Sequence, residues 1–131
     1  MTASSVRKSA APDGPSVLVV EDEGVVRELI AETLREAGCA VTEAASADEA
    51  VCALKRSAAP DILVTDVKLP GTMNGLDLAE RVRRTLPRMK VIVTSGHAAP
   101  DDARNVADCF LAKPFALKEL VGEVRSLAAT H

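Results

Sequence analysis

The chain has 131 residues, 47% of them hydrophobic, which suits one domain with a single core and excludes global disorder. Its formal net charge is −3, and two Phe are its only Phe, Tyr or Trp residues. Non-specific nucleic-acid binding needs a basic face and single-strand binding needs aromatic platforms, so neither is expected. Met1 to Pro15, "MTASSVRKSAAPDGP", reads as a flexible N-terminal tail, with residues 16–131 as the folded domain. "SVLVVED" is a short apolar strand ending in acids. "GVVRELIAETLREAG" places Val25, Val26, Leu29, Ile30, Leu34 and Ala37 on one helical stripe, with Gly38 as the stop. "CAVTEAA" is a second strand with a bland end. "SADEAVCALKRS" opens on a capping box, Ser46-x-x-Glu49, and carries Ala47, Ala50, Val51 and Leu54 at helical spacing.

The alternation continues. "DILVTD" is strand-like, and "NGLDLAERVRRTL" is a helix with Leu76, Ala79, Val82 and Leu86 inward. "KVIVTSG" is a fourth strand and "PDDARNV" at most a turn or two of helix. "DCFLAK" is a fifth strand, and "LKELVGEVRSLAA" closes with Leu117, Leu120, Val121, Val124 and Leu127 on one face. Five strand–helix alternations with apolar strands imply an α/β domain, a parallel sheet covered on both faces and doubly wound by right-handed crossovers. Cys39, Cys52 and Cys109 show no metal-ligand spacing and read as free, buried thiols of a reducing, cytoplasmic compartment. No apolar run approaches a membrane span, and no signal peptide is expected. The basic group Arg81, Arg83, Arg84, Arg88 and Lys90 reads as a solvated helix face.

In a doubly wound sheet the working site lies beyond the carboxyl ends of the strands. There stand Glu21 and Asp22 after strand one, Asp66 after strand three, Thr94 and Ser95 after strand four, and Lys113 after strand five. Taken singly, each has a simpler account as a helix cap, a turn residue or a solvated charge. Taken together, clustered carboxylates without His or thiol ligands suit a hard cation such as Mg²⁺. A lone carboxylate beside such a metal is the arrangement that phosphoryl transfer to Asp66 requires.

"VVEDE", "TDVKLPGTMNGLDLA", "VTSGH" and "LAKPF" together resemble the signature of receiver domains from two-component response regulators. The resemblance runs from Ser16 to about Ala129, and "LPGTMNG" is most similar to stand-alone, single-domain receivers of alphaproteobacteria. It implies the flavodoxin-like (βα)5 fold, with strands in the order 2-1-3-4-5. Only 17 residues separate Ser95 from Lys113, so the fourth helix is expected to be shortened.

The resemblance also implies roles. Asp66 is the phosphoacceptor, and a histidine kinase or histidine phosphotransfer protein is the donor. Glu21, Asp22, Asp66 and the backbone carbonyl of Lys68 hold Mg²⁺. Ser95 and Lys113 bind phosphoryl oxygens, Thr94 points to the opposite face, and Phe110 is the aromatic switch residue. Lys113-Pro114 is a cis bond, and Lys68 and His97 tune phosphate lifetime. The donor helix is expected beside the first helix and the "KPF" loop, near Val25, Val26 and Pro114.

No effector module is expected after the fifth helix, and output is expected through contact with a downstream protein or through phosphate storage. The domain is expected to be a monomer or weak dimer that catalyses only its own modification. Two other readings stay open. A degenerate receiver would bind partners without phosphorylation, and an aspartyl-phosphate hydrolase would use Asp66 as nucleophile, although the second carboxylate such enzymes need is replaced by Lys68.

Overall fold

The alternation of short apolar runs with amphipathic stretches is what the chain builds. The computed structural model describes residues 14–96 and 103–129. Its elements are β1 (Ser16–Val20), α1 (Gly24–Glu36), β2 (Ala40–Ala44), α2 (Ala47–Arg56), β3 (Ile62–Asp66), α3 (Gly75–Thr85), β4 (Lys90–Ser95), α4 (Ala103–Val106), β5 (Cys109–Ala112) and α5 (Leu117–Ala128). The five strands are all parallel, in the order β2-β1-β3-β4-β5, the flavodoxin-like arrangement. Among the described residues the fourth helix is a single turn of four residues. No helix among the described residues is long and apolar enough to cross a membrane.

Strand side chains alternate between faces, so each strand feeds two cores. Leu18, Val20, Leu63, Val91 and Val93 pack with Ala47, Ala50, Leu78, Ala79 and Val82 of α2 and α3. On the opposite face Val17, Val19, Ile62, Val64 and Ile92 pack with Ile30 and Leu34 of α1 and with Leu120 and Val124 of α5. β3 is buried at all five positions, as the centre of a sheet covered on both sides must be.

Two helix faces differ from the sequence reading. On α1 the inward residues are Ile30, Ala31 and Leu34, whereas Val25 is 83% exposed and Leu29 54%. Five residues before Ile30, Val25 sits about 140° round the helix from it and faces outward. On α3 the fully buried leucine is Leu78, and Leu76 and Leu86 are only half-buried. Arg83 is also no solvated charge: its guanidinium pairs with Asp108 at 2.9 Å and donates to the Val106 carbonyl at 3.1 Å, tying α3 to the end of α4. Of the three free thiols Cys39 is buried and Cys109 half-buried, but Cys52 lies exposed on α2.

The helix ends follow local chemistry. α1 stops at Gly38, whose φ of +97° is cheap only for glycine. The Cys39 and Gly38 amides then return to the carbonyls of Leu34 and Arg35, a Schellman closure. Ser46 caps α2 by accepting from the Glu49 amide at 3.1 Å, but the Glu49 carboxylate reaches back to the Ala45 amide, one residue beyond the reciprocal bond expected. α3 has the complete box: Asn74 accepts from the Asp77 amide, and Asp77 accepts from the Asn74 amide. Residues 1–13 of the expected tail, together with His97, fall outside the described residues. Gly14 and Pro15 are already bonded to the Gly38–Ala40 segment.

Gly75, the first residue of α3, is buried against the end of β3, where its amide donates to the Val67 carbonyl at 2.8 Å. A Cβ there would overlap the Asp66 carbonyl oxygen and crowd Thr65. Gly122, in the middle of α5, has nothing within 4 Å of its Cβ position. Gly75→Ala is expected to lower unfolding stability by about 1–3 kcal/mol. Gly122→Ala should instead raise it by about 0.5–1 kcal/mol. Urea denaturation of the two variants against the parent chain measures both.

Candidate functional site

Among the described residues the buried polar or charged side chains are Glu21, Thr65, Asp66, Thr94 and Ser95. All lie at the C-terminal ends of β1, β3 and β4. Register brings them together: Val20 lies opposite Thr65, Asp66 opposite Thr94, and Ser95 opposite Ala112, one residue before Lys113. Segments far apart in sequence therefore share one rim of the sheet.

Lys113 joins them. Its Nζ donates to Asp66 Oδ2 at 2.8 Å and to Glu21 Oε1 at 3.1 Å. Glu21, 2% exposed, also accepts the Glu23 amide on Oε2 at 3.1 Å. Asp66, 9% exposed, accepts a long bond of 3.4 Å from the Lys68 amide on Oδ1. Its main chain is held from both sides: Thr65 Oγ1 donates to the Asp66 carbonyl, and the Val67 amide donates to Thr94 of β4. Asp22 is exposed beside them, and oxygens of Glu21, Asp22 and Asp66 all lie within 4.8 Å of one another. An open depression of about 590 Å³ lies over the cluster, lined among others by Asp22, Asp66, Lys68 and Asn74.

Other candidates take defined places. Ser95 is buried, and its carbonyl accepts the Lys113 amide at 2.8 Å. Thr94 lies opposite Leu111, a member of the α1/α5-side core, which puts it on the face opposite Ser95 by strand alternation. The Lys113-Pro114 peptide is cis. Phe110 lies opposite Val93, half-buried against the α2/α3 core. The Lys68 side chain is exposed at the edge of the depression.

One pair that sequence reasoning passed over lies just behind the acids. Arg27 Nη1 donates to the Glu21 carbonyl at 2.9 Å, and its Nε pairs with Glu43 at 3.3 Å. The signal was an arginine one turn into α1 facing an acid in the second strand, whose end had seemed featureless.

Electrostatics set the character of the cluster. Three carboxylates face one ammonium, so the site carries excess negative charge. Burial pushes the Glu21 carboxyl above its ordinary value; the Glu23 amide and Lys113 pull against this without overcoming it, and Asp66 adds to the rise. For Lys113 burial disfavours the charge, but hydrogen bonds and attraction from Asp66 and Glu21 prevail and raise it. The donor set is all oxygen, without His or Cys, and fits a hard divalent cation.

The raised Glu21 value has a stability consequence. The folded chain holds this proton more tightly than the unfolded chain, so ionising Glu21 costs stability as pH rises from the ordinary 4.5 through the raised value. The contribution of Lys113 is complete below its ordinary 10.5 and is lost only above it, outside this window. In metal-free buffer Glu21→Gln is therefore expected to be more stable than the parent at pH 7. The advantage should shrink toward zero as pH falls to 4.5, read from urea midpoints across a pH series.

Comparison with known proteins places this rim in a family. The response regulator receiver domain model matches residues 17–125. The chain is 41% identical to part of the sensor kinase CckA of Brucella abortus, covering 86% of this chain and 12% of that protein. It is 34% identical to the probable transcriptional regulatory protein TcrX of Mycobacterium tuberculosis, covering 86% of this chain and 49% of the relative. The chain thus spans about half the length, or less, of the curated relatives it matches.

Among solved structures, a Francisella response regulator receiver domain superposes with a TM-score of 0.80 at 26% identity, over 88% of this chain and 98% of that one. TrrA of Thermotoga maritima, solved in complex with Mg²⁺-BeF, superposes with a TM-score of 0.78 at 28% identity, over 86% and 98%. With the five-stranded order, the acidic rim and a family match over most of its length, the chain belongs to the receiver domains of two-component response regulators.

Proposed function

We propose that this domain is a phosphoacceptor switch in a phosphorelay, with Asp66 taking a phosphoryl group from phosphohistidine on a histidine kinase or a histidine phosphotransfer protein. The observation that carries this is the Lys113 ammonium seated 2.8 Å from Asp66, at the open rim where Glu21 and Asp22 add two more carboxylates. An Asp66 oxygen attacks phosphorus in line, the P–N bond breaks, and its electron pair leaves with the donor imidazole. Glu21, Asp22, Asp66 and the Lys68 carbonyl are the residues that would hold Mg²⁺. When bound, the metal neutralises charge that builds on the phosphoryl oxygens.

Lys113 would turn from the carboxylate to a phosphoryl oxygen, and the Ser95 hydroxyl would bond another. The product brings nearly two negative charges and three strong acceptors to the rim, which is the driving force for switching. Phe110, half-buried and three residues before Lys113, would follow such a shift.

The donor helix would dock in a largely apolar groove of about 420 Å³ between α1 and the loop after β5, lined by Val26, Leu29, Ile30, Pro114, Phe115 and Leu117 with Glu23 and Lys113 at its polar side. The outward Val25, a poor core residue, extends that surface. Output would pass to a downstream protein or stop at phosphate storage, and chemistry would be confined to the domain's own modification and slow loss of the phosphate. A monomer or weak dimer in the cytoplasm suits this role.

Incubation with acetyl phosphate and Mg²⁺ is expected to add one phosphoryl group by intact-mass measurement, and to add none to Asp66→Ala or in excess chelator. An unmodified parent chain would rule the switch out and leave a binding module. Phosphate release without an accumulated adduct would instead make the domain a hydrolase. Lys68 overhangs the depression and should slow attack by water, so Lys68→Ala is expected to lose its phosphate faster. An unchanged decay rate would remove that role.

A further inference from the structure

We infer that Arg27 is a positioning residue for the acidic loop, holding Glu21 and Asp22 where a divalent cation can use them. The inference rests on the reading of the acidic cluster as a cation site. Glu21 is gripped at both ends of its backbone. Its amide donates to Ala44 at the end of β2, at 3.1 Å, and its carbonyl accepts from Arg27 Nη1 at 2.9 Å. That carbonyl belongs to the same peptide group as the Asp22 amide, so rotating the peptide would swing Asp22 away from Glu21 and Asp66. No side-chain cap steadies the loop from the helix end, because the N-cap residue of α1, Glu23, makes no such bond.

Arg27 is itself braced. Its Nε pairs with Glu43 Oε1 at 3.3 Å, and Arg35 Nη2 takes the other Glu43 oxygen at 3.3 Å. Side-chain exposures of 22% for Arg27 and 27% for Glu43 shelter the pair from much of the solvent screening that weakens surface ion pairs. A guanidinium can grip a carbonyl and a carboxylate at once from a rigid plane, which an ammonium cannot reproduce. The edge strand β2, which sends no residue into the acidic rim, thus supports it through Glu43 and Arg27.

Charge and geometry predict opposite signs here. Arg27 is a cation behind an acidic site, so on Coulombic grounds alone its removal should tighten binding of another cation. If it positions the loop, removal should weaken binding. Mn²⁺ affinity of the full chain, measured from the spin-resonance signal of free Mn²⁺, separates these. Arg27→Gln is expected to raise the Kd for Mn²⁺ roughly tenfold, the lower end for loss of a group that orients metal ligands. Arg27→Lys should fall between Arg27→Gln and the parent. Arg35→Gln removes a positive charge from the same network without touching Glu21, and should leave affinity unchanged or improved.

Unchanged or tighter binding by Arg27→Gln overturns the inference, as does equal weakening by Arg35→Gln. Thermal unfolding without metal shows which variants fold. If Arg27→Gln does not, Arg27→Lys decides alone, with weaker binding supporting the inference and parental affinity overturning it. A parent chain that binds no Mn²⁺ overturns the cation-site reading itself, a result distinct from equal binding by parent and variants.

Discussion

One ammonium between two buried carboxylates is the contact on which the rest of this rim depends. Lys113 lies 92 residues from Glu21 and 47 from Asp66 in sequence, yet its Nζ meets both within 3.1 Å. Without it, Glu21 and Asp66 would face each other at the mouth of β1 and β3 with only amide donors to offset their repulsion. Taking one partner from a buried charge pair is costly because the remaining charge cannot be solvated. Lys113 is 27% exposed and Glu21 only 3% at the side chain, so the acid bears the greater burial and Lys113 keeps access to solvent.

Backbone contacts make that rim stiff. Asp66 ends a strand buried at every position, and its carbonyl lies under Gly75, the one residue type whose lack of a Cβ lets α3 begin so close. The turn between them leaves β3, passes Pro70 and Gly71, and is closed by the Asn74–Asp77 box that starts α3. Sequence features that look like ordinary turn punctuation therefore fix the direction of a carboxylate. Behind Glu21 the backbone is held by a side chain, since Arg27 donates to its carbonyl and is itself paired with Glu43.

The strand ends were legible in the sequence because a parallel sheet sends all its C-termini one way, so residue type and element order were enough to gather Glu21, Asp22, Asp66, Ser95 and Lys113. A shortened α4 was legible from the 17 residues between Ser95 and Lys113 once the family resemblance was in hand. Helix faces were harder. Val25 and Leu29 are apolar and were expected on the inward stripe, but a helix lying on a sheet buries only part of its circumference, and which apolar residues fall outside depends on rotation that composition does not encode. Leu78 was missed for the same reason, its row running through Gly75 and Val82, where a glycine carries no hydrophobic signal. Arg27 and Glu43 were harder to see, because each reads as an ordinary charge until the packing of α1 against β2 brings them together.

The geometry also links the two halves of the proposed switch. Lys113 is bound to the acids through its side chain and to Ser95 through its amide, which donates to the Ser95 carbonyl at 2.8 Å. A phosphoryl group on Asp66 would draw the ammonium and the Ser95 hydroxyl toward the same three oxygens. Because that hydrogen bond ties the end of β4 to the start of the loop after β5, a shift in one would be felt in the other. Strain would then pass along β5 to Phe110, which lies opposite Val93 on the α2/α3 face and is not fully packed. Arg83 fastens the described turn of α4 to α3 through Val106 and Asp108. A long α4 could carry a shift outward as a rigid body. The described turn of α4, Ala103–Val106, is held by Arg83, and the change would surface at Phe110 and the loop after β5. That loop borders the apolar groove against α1, so in this chain the surface that receives the phosphoryl donor and the surface that reports its gift would be close neighbours.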